Sequence, residues 1–298
     1  MLFTNDDRGN FAKDPAVVHF HGQYFLYYTV HYDGGGDRYG IAMATSADME
    51  NWIQQGELPQ DTPCEAKGSA APAAIVLDDR VHLFYQTYGN WRTDAICHAV
   101  SEDGLHFVKN PENPVYAPEA SWCCGRAIDA DVCVFNGRLY MYIATRDHEM
   151  QVQKIGGAWA ELDSGFGKKA WTHLADQSLL APEMRWEKTC IEAPATIVEE
   201  GKIYMFYGGA YNCSPQQIGC AVSEDGVFFR RISKDPLLPC GEAGSWNSSE
   251  SGHPYAFRDD DGRAYLFYQG SADMGKTWYL SRKEICFVAG MPVLVDVE

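Results

Sequence analysis

The sequence predicts an all-β fold, a five-bladed β-propeller in a single domain. Two observations carry the prediction. One strand–turn–strand unit recurs five times, and no helix of ordinary length is visible between the units. Composition agrees: aromatic residues make up 13% of the 298 residues, with 17 Tyr, 14 Phe and 8 Trp beside 28 Gly. Aromatic side chains suit a pleated, half-buried surface, and glycine suits the turns between strands.

Each unit opens with a short apolar strand, turns, and returns through a Tyr/Phe-rich strand. Unit one reads Asp14-Pro15-Ala16-Val17-Val18, turns at His21-Gly22 and returns through Tyr24-Phe25-Leu26-Tyr27-Tyr28. Ala71-Pro72, Asp129-Ala130, Ala193-Pro194 and His253-Pro254 open the other four. Turns at Asp78-Asp79, Asn136-Gly137, near Gly201 and at Asp259-Asp260-Asp261-Gly262 close their hairpins, and Asn-Gly or Asp-Gly between alternating strands is a strong hairpin signal. Positions 15, 72, 130, 194 and 254 lie 57, 58, 64 and 60 residues apart. Third strands such as 40–46 and 218–223 are expected to run into a Ser-x-Asp element. Four copies are seen, at Ser46/Asp48, Ser101/Asp103, Ser223/Asp225 and Ser271/Asp273. The stretch 271–278 fits the Asp-box pattern and reads as a structural turn. Radial repetition of such sheets leaves only short, protected edges. The expected blades span about 11–55, 68–115, 126–178, 190–238 and 250–290. Either Leu2-Phe3 or the tail Pro292–Val295 completes the fifth.

The inner strands of a propeller converge on its channel, so the residues entering them meet at one mouth. Asp14, Ala71, Asp129, Ala193 and His253 are equivalent in the repeat, and Glu192 stands one step before Ala193. Three carboxylates and a histidine are therefore expected at one end of an apolar funnel. A lone Asp before Pro is usually a turn cap. Three acids in three separate units point instead to function, because crowded and desolvated carboxyls acquire separated pKa values. Cleavage of a glycosidic bond needs such a pair, one acid for the leaving oxygen and one base or nucleophile opposite.

Asp14-Pro15, Ile128-Asp129 and Glu192-Ala193-Pro194, in that order over blades one, three and four, resemble glycoside hydrolase family 43. The similarity extends, at lower resolution, to families 32, 62, 68 and 117. The resemblance implies Asp14 as general base, Asp129 as the carboxylate that orients the acid and tunes its pKa, and Glu192 as general acid. His253 resembles a central histidine able to help hold calcium or water. Two positions depart from the family pattern, with Asp129-Ala130 in place of Asp-Pro and Glu192-Ala193-Pro194 in place of Glu-Gly-Pro. The implied activity is exo-acting, inverting removal of α-L-arabinofuranosyl or β-D-xylosyl residues from oligosaccharides. The alternatives on the same scaffold are a β-fructofuranosidase, an anhydrogalactosidase and a non-catalytic sugar-binding propeller. Inner positions that differ from blade to blade argue against the last.

Loops after the second strands offer rings and forked donors for a sugar. Trp91 and Arg146 are the leading candidates, followed by His148, Trp246 and Arg126. His31, Tyr32, Tyr88, Asn90, Arg92, Asp147, Tyr211, Asn212, Trp122 and Trp186 complete the rim set. No cofactor is required by this chemistry, although a structural calcium at the propeller centre is compatible with His253.

Charge excludes other partners. Lys+Arg number 24 against 41 Asp+Glu, a net charge of −17 that repels nucleic acid and anionic membrane. No apolar run approaches membrane-spanning length, and the oligomeric state is left unassigned. The opening residues lack a basic region followed by an apolar one, so no signal peptide is read and a cytoplasmic location is expected. Ten scattered cysteines without a CxxC pair then read as reduced thiols rather than as a zinc or disulfide framework.

Overall fold

The computed structural model describes residues 1–32 and 38–297. Five four-stranded antiparallel sheets stand around a common channel. The first holds β1 (Lys13–Phe20), β2 (Gln23–His31), β3 (Tyr39–Ser46) and β4 (Ile53–Glu57). The second holds β5 (Ser69–Leu77), β6 (Arg80–Thr87), β7 (Ile96–Ser101) and β8 (Phe107–Lys109). The third holds β9 (Ile128–Phe135), β10 (Arg138–Arg146), β11 (Gln153–Glu161) and β12 (Thr172–His173). The fourth holds β13 (Ile191–Glu199), β14 (Lys202–Gly209), β15 (Gln217–Ser223) and β16 (Arg230–Arg231). The fifth holds β17 (Glu250–Arg258), β18 (Ala264–Ser271), β19 (Tyr279–Val288) and β20 (Met291–Val295). The inner strands β1, β5, β9, β13 and β17 pack side by side, and β17 meets β1 to close the ring. This is the propeller the repeat predicts. Among the described residues, no helix is long and apolar enough to cross a membrane.

Both candidate segments complete the fifth blade. The tail forms β20 against β19, while Phe3 exchanges backbone hydrogen bonds of 2.9 and 2.7 Å with Leu280 of the same strand. Chain ends thus share one sheet, which ties residue 3 to residue 280.

The second strands are rich in tyrosine because their side chains fill the space between blades. Tyr27, Tyr85, Tyr142 and Tyr207 are fully buried. Tyr27 donates to the carbonyl of Gly104 in the next blade (2.8 Å), and Tyr142 to that of Gly226 (2.9 Å). Those glycines follow the Ser-x-Asp elements, and Gly104 takes φ +79° in a spot where a Cβ would strike Phe25. In each element the aspartate caps its own turn: Asp225 Oδ1 accepts the N–H groups of Val227 and Phe228, both at 2.8 Å. Three elements follow third strands, as expected. The fourth does not: Ser271 ends the second strand of its blade, because the bulky stretch 272–278 is spent reaching β19. Asp273 caps that turn too, accepting from Lys276 and Thr277 at 3.0 Å.

Candidate active site

The five positions equivalent in the repeat share one backbone feature. Asp14, Ala71, Asp129, Ala193 and His253 take φ values of +52, +48, +51, +50 and +39°. Each inner strand also loses register with its neighbour there. A left-handed non-glycine residue is strained, and its fivefold recurrence marks a built bulge. Proline follows in four blades, where it disfavours right-handed backbone at the preceding residue.

Side chains from the preceding blade satisfy four of the five bulged N–H groups. Gln269 Oε1 accepts from Asp14 (3.0 Å), Thr29 Oγ1 from Ala71 (2.8 Å) and Gln86 Oε1 from Asp129 (2.7 Å). For His253 the acceptor is Gln216 Oε1 at 3.0 Å. These blade-to-blade clamps fix the residues that line the mouth.

The mouth is a cavity of about 280 Å³ lined by Asp14, Asp129, Glu192, His253, Arg126 and Arg146, and also by Lys13, Tyr39, Tyr88, Tyr211 and Asn212. The three sequence-predicted acids are thus brought together. A larger cavity of about 980 Å³ lies on the outer flank between blades two and three and contains none of them.

The carboxyls are placed in different electrostatic surroundings. Burial alone would raise the Asp14 carboxyl, but His253, Lys13, the Thr29 hydroxyl and the Ala71 N–H together hold it below the usual range. His253 Nδ1 lies 3.0 Å from Asp14 Oδ1. Burial pushes Glu192 up, against the hydrogen bond from Gln216, the Lys13 charge and the Cys190 thiol. Glu192 Oε1 accepts from Gln216 Nε2 (2.6 Å), and its Oε2 accepts from Gln153 Nε2. Asp129 is also pushed up, first by burial and then by the neighbouring Glu192 and Asp14. One carboxyl is shifted toward its ionised form and two toward their protonated forms, in a single pocket.

Four glutamines and Lys13 escaped the sequence reading. Lys13 precedes Asp14 as Glu192 precedes Ala193, so the two face the mouth from the same register in blades one and four. Asp14, Glu250, Tyr39 and Glu192 keep the Lys13 amine charged despite burial. The Phe-Tyr-Gln that recurs near the ends of β6 and β18 was the signal available for Gln86 and Gln269. Gln153 starts the third strand β11, Gln216 stands just before β15, and neither carries a comparable mark.

The other predicted residues divide. Arg126 is buried and donates to Asp94 Oδ2 at 3.4 Å. Arg146 donates to Gln153 Oε1 (2.8 Å) and to the Met150 carbonyl (3.3 Å), with no carboxylate in ion-pair reach among the described residues. Trp91 stands at the rim, 60% exposed, with the Arg126 and Arg146 guanidinium carbons 5.8 and 5.4 Å from its ring. His148 lies outside the pocket lining: its ring meets the Ser121 carbonyl at 2.5 Å, and its own carbonyl accepts from Arg92. Trp246 is also outside, because its ring packs on Tyr268 and over Gly270 between blades. Trp122 and Trp186 do the same over Gly156 and over Gly209 and Gly219.

A central calcium would need six to eight oxygen ligands. Here His253 and Asp14 engage each other, and glutamine amides occupy both oxygens of Glu192. Among the described residues the one His/Cys/Asp/Glu group spaced for a metal is His19, Asp259 and Asp260, at the opposite end of the channel. A 2.8 Å contact between His19 and Asp260 accounts for that group.

A five-bladed propeller with oppositely tuned carboxyls at one mouth is the architecture of propeller glycosidases. Residues 8–286 match the glycosyl hydrolases family 43, and the chain belongs to that family. A β-1,2-mannobiose phosphorylase from Thermoanaerobacter sp. (strain X514) is 30% identical over 132 residues. That match spans 39% of this chain and 41% of the relative. Among solved structures, a thermostable family-43 glycoside hydrolase superposes with a TM-score of 0.78 at 21% identity, covering 95% of this chain and 92% of the other. An endo-1,4-β-xylanase from Bacteroides thetaiotaomicron gives 0.75 at 21% identity, covering 96% and 94%.

Proposed function

We propose that the protein is an exo-acting, inverting glycoside hydrolase that removes a terminal pentose, α-L-arabinofuranosyl or β-D-xylosyl, from an oligosaccharide. The observation that carries this reading is the split between Asp14, shifted down, and Glu192, shifted up, in one pocket. Asp14 takes a proton from water as the water oxygen attacks the anomeric carbon. Glu192 gives its proton to the departing oxygen as the glycosidic bond breaks. Asp129 touches neither proton in this scheme and acts on Glu192 through charge. The cavity of about 280 Å³ lies at the small end for ligand pockets, which supports binding one terminal sugar rather than a long chain. The family membership and the likeness to a xylanase support a plant-type pentose.

The test is proton NMR of the first product formed from an aryl pentoside in phosphate-free buffer. Appearance of the inverted anomer before mutarotation supports the reading, and the retained anomer overturns the assignment of Asp14 as base.

A second reading, phosphorolysis, rests on an observation of its own. Lys13 and Arg146 line the pocket of a protein that carries net charge −17, and no carboxylate pairs with Arg146 among the described residues. Inorganic phosphate would replace water as nucleophile and leave as sugar 1-phosphate, with Glu192 still protonating the leaving oxygen. A phosphorus-31 signal for a sugar phosphate, with turnover dependent on added phosphate, would establish it. The phosphorylase named above lends it support.

A further inference from the structure

Blade two breaks the packing rule that blades three and four keep. Trp122, Trp186 and Trp246 each stand seven residues before the bulge of their blade, at Asp129, Ala193 and His253. In blade four Trp186 lies against Gly219 of the third strand, which pairs with Tyr207. In blade three Trp122 lies against Gly156 in the same way. Seven residues before Ala71 stands Cys64, and the residue that pairs with Tyr85 in the third strand is Cys97. A tryptophan-on-glycine contact is thus replaced, at both positions, by cysteine.

The two sulfurs lie 3.8 Å apart. Cys64 is half-buried within the short helix Pro63–Glu65, while Cys97 is fully buried. The Thr62 Oγ1 stands 3.2 Å from the Cys64 sulfur. The Cys97 thiol and that hydroxyl outweigh partial burial and hold Cys64 down to about 6, whereas Cys97 is pushed up by the Cys64 sulfur and by burial. One thiol is accessible and the other lies behind it.

We propose that Cys64 and Cys97 form a reversible disulfide in the folded protein, with peroxide as oxidant and Cys64 as the sulfur that reacts first. The Cys64 thiolate attacks one peroxide oxygen, breaking the O–O bond and releasing hydroxide, which leaves a sulfenic acid. The Cys97 sulfur then attacks the Cys64 sulfur and expels water. Two thiols and one hydrogen peroxide become one disulfide and two waters. The sulfurs must close from 3.8 Å to about 2.05 Å to bond. The bond would pin the helix Pro63–Glu65 to β7. The Cys64 carbonyl already accepts from Asn90, next to Trp91, so the pin sits beneath the rim of the pocket.

The experiment treats the full chain with stoichiometric hydrogen peroxide at neutral pH, blocks free thiols, and maps the tryptic peptides. Cys64 and Cys97 are the single cysteines of peptides 39–67 and 93–109. The expected result is one linked pair of these peptides, lost after dithiothreitol and absent from Cys64→Ser. In Cys97→Ser the sulfenic acid finds no second thiol, and Cys64 is expected to keep the single oxygen delivered by one equivalent of peroxide, captured as a dimedone adduct. The proposal is overturned if both peptides stay unlinked while the protein remains folded. Linkage of either cysteine to a different one overturns it as well.

Discussion

His253 Nδ1 stands 3.0 Å from Asp14 Oδ1, so the bulge of the fifth blade holds the carboxylate presented by the bulge of the first. The contact crosses the seam where the ring closes. It stabilises the ionised form of Asp14 and, with Asp14 as the proposed base, is expected to set the acid limb of activity. With His253→Ala that carboxyl loses its main opposing charge and its pKa rises. The acid limb of kcat/KM is expected to move to higher pH while the alkaline limb stays. A pH profile of both proteins checks this.

In the proposed mechanism Glu192 acts in its protonated form, so activity is expected to fall as pH rises through its raised pKa. Asp129 and Glu192 titrate as a pair of like charges. Asp129→Asn removes one of them, which makes the Glu192 proton easier to lose. The alkaline limb is expected at lower pH, with kcat reduced more than KM is changed. An unmoved alkaline limb would remove Asp129 from its tuning role.

Gly252 makes room for Gln216, whose Oε1 would lie 2.0 Å from a Cβ at that position. Gln216 holds both Glu192 and the His253 N–H. Gly252→Ala is therefore expected to cost about 1–3 kcal/mol in stability, in the range of overpacked sites. Activity should fall further than the stability loss explains. Thermal melts and kinetics at a temperature where the variant is folded separate the two effects.

Chelation tests the centre. With His253, Asp14 and Glu192 engaged by protein partners, activity is expected to be unchanged by EDTA and by added calcium. A loss on chelation that calcium restores would assign the centre to a metal.

The fold was legible because the repeat is written in residues with a physical reason to recur. Asn136-Gly137 and His21-Gly22 make hairpins, and the tyrosines of the second strands fill the gaps between blades. The acids were legible because they stand at the entrances of otherwise apolar inner strands, where blades two and four carry Ala71 and Ala193. Ser271 misled the register because a Ser-x-Asp turn caps itself locally and forms after a second strand as readily as after a third. Trp246 misled the site reading because the glycine that receives it, Gly270, lies 24 residues away in sequence. Lys13 and Gln216 were invisible for a related reason. Their roles depend on register across strands and on neighbouring blades, which periodicity does not reveal.

Asp14 is proposed to activate the nucleophile in a pocket for one terminal sugar. The most direct test compares wild type and Asp14→Asn on aryl α-L-arabinofuranoside and β-D-xyloside, with sucrose and an aryl β-D-galactofuranoside alongside. Asp14 is the better target because an activated aryl leaving group needs little help from Glu192. One pentoside is expected to be cleaved, with a loss of at least about a hundredfold in the variant, the scale on which a general base contributes. Cleavage that survives Asp14→Asn would contradict the assignment.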